Sequence, residues 1–536
     1  MAGGDPRPPR HVVVGSGTAG CMLVNRLLAH GHEVTLVERP DGPGGSGHRE
    51  AARWGEQLYS SSNPHLQRCY SAAQAGLCKR RVYLPLGKGI GGSSNLNATM
   101  LTLGSREGFA GWPESIFSAE GLAATMEGPV AAAVRPTAMR SSFNIVRHLL
   151  GSDSSSSSSS SGDSSFFYEG AATWGYWSST HDSGDRPNAT RADMRSLLAP
   201  PGRLRVVRGT VVNVLVERRR AQGVTVLDGR GAPAELRAAR GGEVVLCAGV
   251  VGSFELLCRL RSREAGAPAT YSSQLFDHVA LPVVFVGRWW RGGSDSYPST
   301  GVHGWINLPA PGEAAGPPEA QLVFLDGRGA AAHLPALLVP DLAGEGVLLQ
   351  VYRFAVCAPL RALLALLART WPVQWLCGLA VVVMVCVVRP KSEGSITVDV
   401  SSDGSSAVSV DPGYLTDPRD VATLRRALAA ASAIVERRYG WCLWQLLPGP
   451  LCFEPYARLM ATTYYHMCGS CPLPLGGSGG AVDERLRVRG FEGLRVADAS
   501  VLPVAPAGPP AALCLCVGAA CARFLVEDCE SRCGPM

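Results

Sequence analysis

The residues best suited to chemistry begin near the start of the chain. Gly15-Ser16-Gly17-Thr18-Ala19-Gly20 fills the pattern G-x-G-x-x-G between an apolar strand and a helix with apolar residues at helical spacing. Each glycine answers a physical demand: Gly15 permits the tight turn, Gly17 lets a pyrophosphate approach the backbone, and Gly20 lets helix and strand pack closely, while the helix N-terminus faces the anion. Glu38 ends the next strand, 18 residues after Gly20, where a carboxylate can accept hydrogen bonds from ribose hydroxyls. Together these residues predict a dinucleotide site. A second glycine-dense loop, LPLGKGIGGSSNLNATM, occupies 84–100. Cys468 and Cys471 form a C-x-x-C beside His466, a spacing compatible with redox exchange or with half a zinc site. No second C-x-x-C and no His pair at ligand spacing accompanies it, so these are read as structural thiols and no metal is expected.

The elements that must position these groups follow from periodicity. Residues 11–38 read as strand, glycine turn, helix and strand, a complete βαβ unit. Strands return from Leu204 and end in the strand-turn-helix segment EVVLCAGVVGSFELLCRL at 243–260. Residues 280–354 mix apolar strands with Pro/Gly loops, which suits an antiparallel sheet in a separate domain. The tract 152–165 is almost all Ser and is expected to be a disordered insertion, because it cannot bury enough apolar area to offset its ordering entropy. The apolar run 373–388 is read as a buried strand, with a membrane segment as the alternative; as a helix it would reach about 24 Å of a roughly 30 Å hydrocarbon core. Arg419 to Arg438 reads as an amphipathic helix, and an Ala/Cys/Leu-rich helix is expected near 511–527.

Composition narrows the class. With 536 residues, 46% hydrophobic and 18% charged, the chain is folded rather than disordered. Its 63 Gly and 38 Pro imply many tight turns. The net charge of +6 is spread in short runs such as Lys79-Arg80-Arg81 and Arg218-Arg219-Arg220, read as solvated loops, so nucleic acid is excluded as a partner. Seventeen scattered Cys suggest reduced, buried thiols, and the N-terminus lacks the ordered regions of a secretory signal. Both point to an intracellular, cytoplasmic setting.

Further segments carry a family resemblance. GKGIGGSSNLNATM at 87–100 resembles the flavin-contacting signature of the glucose-methanol-choline oxidoreductases, and YYHMCGSC at 464–471 resembles that family's active-site histidine segment. FDHVALP at 276–282, RPKSEGSITV at 389–398 and AVDERLRVRGFEGLRVADASVLP at 481–503 look like the family's blocks in the family's order. The resemblance implies an α/β fold: a discontinuous Rossmann-like FAD-binding domain with a second α+β substrate domain built on an antiparallel sheet. Residues 10–285 and 471–530 would form the first and 286–470 the second, with the C-terminal homology at about 385–530. It also implies oxidation of the CH–OH group of a small alcohol by hydride transfer to FAD. Carried across by position, Gly15 to Gly20 and Glu38 would hold the ADP half, Val212 would lie near the adenine, Gly92, Ser93 and Asn97 would line the flavin, and Asp498 would contact the pyrophosphate or ribityl region. Leu96 stands where some relatives carry the histidine that attaches flavin, so binding is expected to be non-covalent.

His466 matches the family histidine placed over the flavin, and an imidazole suits removal of a hydroxyl proton at neutral pH. The family pairs it with a second His or Asn after the DAS segment. Counting eleven residues on from Asp498 reaches Pro509, and no His or Asn follows His466 anywhere in the chain. Proline offers neither a side-chain donor nor a backbone N–H. Two readings therefore stand: an FAD-dependent alcohol oxidoreductase with His466 as base, and a catalytically impaired flavin-binding relative with a structural or interaction role.

Overall fold

The computed structural model describes residues 8–40, 63, 65–97, 102–127, 174–175, 203–239, 241–286, 302–309, 311–312, 317–326, 351–368, 370–439, 444–447, 452–477 and 479–533. The Ser-rich tract lies outside them. In chain order the principal elements begin with β1 (Arg10–Val14), α1 (Thr18–Ala29), β2 (Glu33–Glu38), β3 (Leu204–Arg208), β4 (Thr210–Glu217), β5 (Arg220–Leu227), β6 (Pro233–Arg237), β7 (Val244–Leu246) and α2 (Gly249–Ala265). There follow β8 (Ala269–Phe276), β9 (Val279–Val286), β10 (Val302–Pro309), β11 (Pro318–Asp326), α3 (Ala358–Leu367), α4 (Trp371–Cys377) and β12 (Ala380–Val387). The chain closes with β13 (Gly394–Val400), β14 (Ser406–Asp411), α5 (Pro418–Tyr439), β15 (Trp444–Leu447), β16 (Leu494–Val496) and α6 (Ala511–Cys533).

A parallel five-stranded sheet of order β16-β7-β1-β2-β3 carries the dinucleotide motif. Its central strands are continuous apolar runs because both faces are covered: Val12, Val13, Leu36, Val244 and Val245 are all buried. On one face α1 turns Cys21, Met22, Val24 and Leu27 inward. Helix α6 crosses the first turn of α1 so closely that a Cβ on Gly518 would lie 2.3 Å from the Ala19 carbonyl oxygen, so only glycine permits this contact.

An antiparallel sheet of order β15-β9-β12-β11-β10, extended by Trp174–Gly175, forms the second layer, and β14-β13-β8 pair beside it. Strand β9 starts at Val279 and pairs along its whole length with β12, which puts it inside this second sheet. The apolar run 373–388 also divides. Residues 380–387 are the buried strand expected, but 371–377 are helical, with Pro372 in the first turn where its missing N–H costs nothing. No helix among the described residues is long and apolar enough to cross a membrane.

The end of the parallel sheet where β1 starts is fastened by buried ions. Arg495, fully buried, bonds Glu243 at 2.9 Å and Asp528 at 2.5 Å, while Arg532 reaches Glu243 at 2.7 Å. Beside them the stacked rings of His11 and His32 share a hydrogen bond of 2.9 Å. Removing one partner of a buried ion pair leaves an uncompensated charge. Arg495→Met is therefore expected to destabilise the protein by about 3 kcal/mol, read as a lower urea midpoint; an unchanged midpoint would show that the network does not hold the sheet.

Candidate functional site

The opposite end of the sheet, at the strand C-termini, is where open α/β sheets bind ligands. The glycine motif there divides its work as the sequence suggests. Gly15 has φ +99°, and a Cβ on it would lie 2.3 Å from the Cys247 carbonyl oxygen, so both conformation and contact require glycine. A Cβ on Gly20 would lie 2.2 Å from the Gly15 oxygen, which fixes the helix against the turn. Gly17 differs: a Cβ there would meet nothing within 4 Å. It is the N-cap of α1, with no side-chain cap and no acid in the first turn, so space stays open beside the backbone where the helix starts. These are the features a phosphate needs.

The second glycine loop crosses the first. Gly91 N donates to Ser16 O at 2.8 Å, and a Cβ on Gly92 would lie 2.9 Å from Gly17 Cα. Glu38 joins both loops: Oε2 accepts from Ser16 N and Ser16 Oγ at 2.6 and 2.7 Å, and Oε1 accepts from Arg39 N and Gly89 N at 2.9 and 3.2 Å. Burial pushes its carboxyl above the ordinary range, while the bonds from Ser16, Arg39 and Gly89 pull the other way. A cavity of about 640 Å³ opens next to it, lined by Arg39, Gln67, Lys88 and Thr210 among others. Val212 lies close in sequence to that cavity, at a bulge in β4 where the register with β5 shifts between Val211 and Asn213.

The remaining sequence-derived residues divide. Ser93 is exposed on a one-turn helix at 92–95 and accepts from Gly87 N, and the Asn97 amide N–H bonds Ser93 O. Asp498, at the end of β16, is buried and accepts from Gly249 N, Ser253 Oγ and Ser500 N at 2.6–2.8 Å. It thereby closes the start of α2, holding that helix end against the sheet.

His466 lies where the chain passes between the two antiparallel sheets. Strand β8 ends at Phe276 and β9 begins at Val279, leaving Asp277-His278 as the crossing. The 462–469 segment crosses beside it: Thr462 and Thr463 pair with Ala280 and Val279, and Cys468 and Gly469 pair with Phe276 and Leu275. Tyr465 takes φ +65° and Ser470 φ +89°, uncommon for side-chain-bearing residues and frequent at functional turns. The two crossings meet on one carboxylate. Asp277 Oδ1 accepts from His278 N at 2.9 Å and His466 N at 2.8 Å; Oδ2 accepts from the Tyr414 hydroxyl at 2.5 Å and Thr463 Oγ1 at 2.6 Å.

This hub sets two imidazoles nearly perpendicular, with Nδ1 of His278 and Nδ1 of His466 3.0 Å apart. Tyr464 packs on the His466 ring and donates to Gln321 Oε1. Burial lowers His278 to about 4, and burial together with the neighbouring His278 holds His466 well below the ordinary histidine range. Both rings are neutral at pH 7. Burial pushes the Asp277 carboxyl up to about 6, against the pull of its four donors. Cys468 and Cys471 are buried beside the site and their thiols are pushed up by burial, Cys471 to about 12, which makes them poor nucleophiles or ligands. Pro509 is buried and follows the 504–506 stretch that touches Cys468 and His278. Sequence reading missed Asp277, His278, Tyr414 and Thr463 as site residues; an acid and a histidine at the head of the apolar run VALPVVFV were the available signal.

The buried histidines set a pH dependence. His278 binds its proton at about 4 in the folded protein and near 6.5 when unfolded, so between those values the unfolded chain holds more protons and stability falls as pH falls. His466, His11 and His32, all lowered chiefly by burial, act with the same sign. Asp277, raised from 3.8 to about 6, acts with the opposite sign over an overlapping range, and so do Glu38 and Asp498, which burial also raises, three groups against the four histidines. The urea midpoint should therefore drop between pH 6.5 and 4.5, and drop less in His278→Asn; identical slopes would show that His278 is not held neutral.

Models of the GMC oxidoreductase family match the chain over residues 10–278 and 390–518. An alcohol dehydrogenase [acceptor] of Pseudomonas putida is 24% identical over 576 aligned positions, covering 96% of this chain and 95% of the relative. The chloroplastic fatty acid photodecarboxylase of Chlamydomonas reinhardtii is 25% identical, covering 96% and 90%. Among solved structures, pyridoxine 4-oxidase from Mesorbium loti superposes with a TM-score of 0.70 at 20% identity, covering 96% of this chain and 98% of that one.

Proposed function

The chain belongs to the GMC oxidoreductase family and is an FAD-dependent oxidoreductase, and from that premise we propose that it oxidises the CH–OH group of an alcohol with His466 as the base. The observation that carries this reading is the His466–Asp277–His278 arrangement. The relatives named for alcohol dehydrogenation and pyridoxine oxidation support an alcohol substrate. FAD, when bound, supplies the acceptor for the hydride that leaves the alcohol carbon.

The protein's own task is the proton. A neutral imidazole offers one lone pair, and which nitrogen offers it depends on the partner of the other. His278 Nε2 finds no hydrogen-bond partner, so the proton between the two rings is settled by their mutual contact at Nδ1. With that proton on His466 Nδ1, donated to His278 Nδ1, His466 presents an unprotonated Nε2 to the substrate hydroxyl. His278 is thus a positioning residue: it selects the His466 tautomer that can act as a base, and it shares the positive charge after proton uptake. Asp277 fixes the His466 backbone and so the direction of the ring. The open N-terminus of α1 around Gly17 and Thr18 would hold the pyrophosphate; Ser93 and Asn97 would face the flavin, Val212 the adenine, and Glu38 would exchange its Ser16 hydroxyl bond for a ribose hydroxyl. Leu96, buried and without a nucleophile, is consistent with non-covalent FAD.

Pro509 favours a second reading, in which the protein binds FAD but turns over slowly or not at all. Anaerobic bleaching of the FAD-loaded protein by a panel of alcohols separates the two. On the first reading the wild type bleaches, His466→Ala keeps its flavin absorption but slows bleaching by about 10²- to 10⁴-fold, and Pro509→His speeds it. A yellow wild type that no alcohol bleaches would leave the second reading standing, and a protein that takes up no FAD would remove both.

A further inference from the structure

Helices α3 and α4, with the π-helical turn Arg353–Cys357 before them, present their apolar side chains outward. Leu360, Leu363 and Leu367 recur at i, i+3 and i+7 along one face, and Trp371 and Trp375 continue at i, i+4 on the next helix. Trp371 is 76% exposed, Leu366 63%, Leu376 57% and Trp375 51%, and α4 has no buried residue at all. A helix on a water-facing surface normally turns its apolar stripe to the core. Here only the small residues Cys357 and Ala368 at the two ends of α3 are buried, while the large side chains project. Scattered exposed leucines are ordinary, but a contiguous patch of this kind marks an interaction surface.

The charges around the patch identify its partner. From Gly346 to Ser392 the chain carries Arg353, Arg361, Arg369, Arg389 and Lys391 and not one Asp or Glu. Ten residues of α3 rise about 15 Å and seven of α4 about 10 Å, far short of a roughly 30 Å hydrocarbon core, so neither can span it. Short helices with exposed Leu and Trp, whose own stretch 351–378 carries Arg353, Arg361 and Arg369 and no acid, suit the headgroup layer of a bilayer. Leucines enter the acyl boundary, indoles settle at the headgroup level, and basic side chains meet anionic lipid. We propose that α3 and α4 form a monotopic docking surface for an anionic phospholipid membrane, so that the protein lies on the bilayer without crossing it. This inference stands on exposure and charge alone and does not depend on the proposed alcohol chemistry.

Flotation of the full chain with vesicles tests it. Phosphatidylcholine vesicles containing about a third phosphatidylserine should carry the wild type upward, pure phosphatidylcholine should carry much less, and high salt should release it. The triple variant Leu366→Gln, Trp371→Ser, Trp375→Ser should partition about ten-fold more weakly while keeping its circular dichroism and unfolding midpoint, because all three side chains are exposed. A wild type that stays with neither vesicle, equal binding to both, or a triple variant that floats as well as the wild type would each overturn the proposal. So would a wild-type dimer that the variant converts to monomer with no vesicle binding in either, which would assign the face to a second copy of the chain.

Discussion

The site depends on one buried carboxylate. Asp277 stands where the chain leaves one antiparallel sheet for the other, and its two oxygens accept from two backbone amides, a phenol and a threonine hydroxyl. A carboxylate removed from water is costly unless its acceptor sites are filled, and four donors fill them. The donors come from three stretches of chain, at 278, 414 and 463–466, so filling those sites also fixes the two crossings relative to each other. His278 and His466 face each other as a consequence. Their shared neutrality follows from the same burial that makes the carboxylate demanding. An arrangement that only stabilised the fold would not need two histidine nitrogens 3.0 Å apart, since apolar rings of similar volume could fill that space.

The two ends of the parallel sheet serve opposite purposes. Where β1 starts, the ions are paired with one another: Arg495, Glu243, Asp528 and Arg532 form one network. At the strand C-termini, polar groups remain unspent, with the N-cap of α1 open and Gly17 facing empty space. A rigid end held by paired ions leaves the opposite end free to keep an open helix N-terminus of the kind that a pyrophosphate uses. Glu38 mediates at that end. In this structure it ties the two glycine loops together through Ser16 and Gly89, which keeps the cradle shaped.

Local pattern was enough for the βαβ unit, since three glycines at fixed spacing and two apolar strands allow little else, and β1, α1 and β2 span 10–38 as expected. Helix α5 was legible from its periodicity, and α6 also, though it runs to Cys533, six residues beyond its expected end. Long-range pairing was not legible. Nothing near Val279 announces that β9 pairs with β12, a hundred residues later. The helix at 371–377 was hidden because an unbroken apolar run looks alike in a strand and in a short helix; Pro372 was the one local sign. His466 was found through the family-like segment around it, whereas Asp277 and His278 went unassigned although their own segment had been recognised. Their role lies in what they bond, and a carboxylate's four donors, drawn from residues 278, 414, 463 and 466, are scattered in sequence.

On the proposed function, this site removes a proton and a hydride from an alcohol although position 509 is proline. The most direct test is the rate of anaerobic flavin reduction in the FAD-loaded wild type by an alcohol and by the same alcohol deuterated at the carbinol carbon. Slower reduction by the deuterated alcohol is expected, because the C–H bond breaks in the step that His466 assists. Equal rates, or no reduction by either, would contradict the claim.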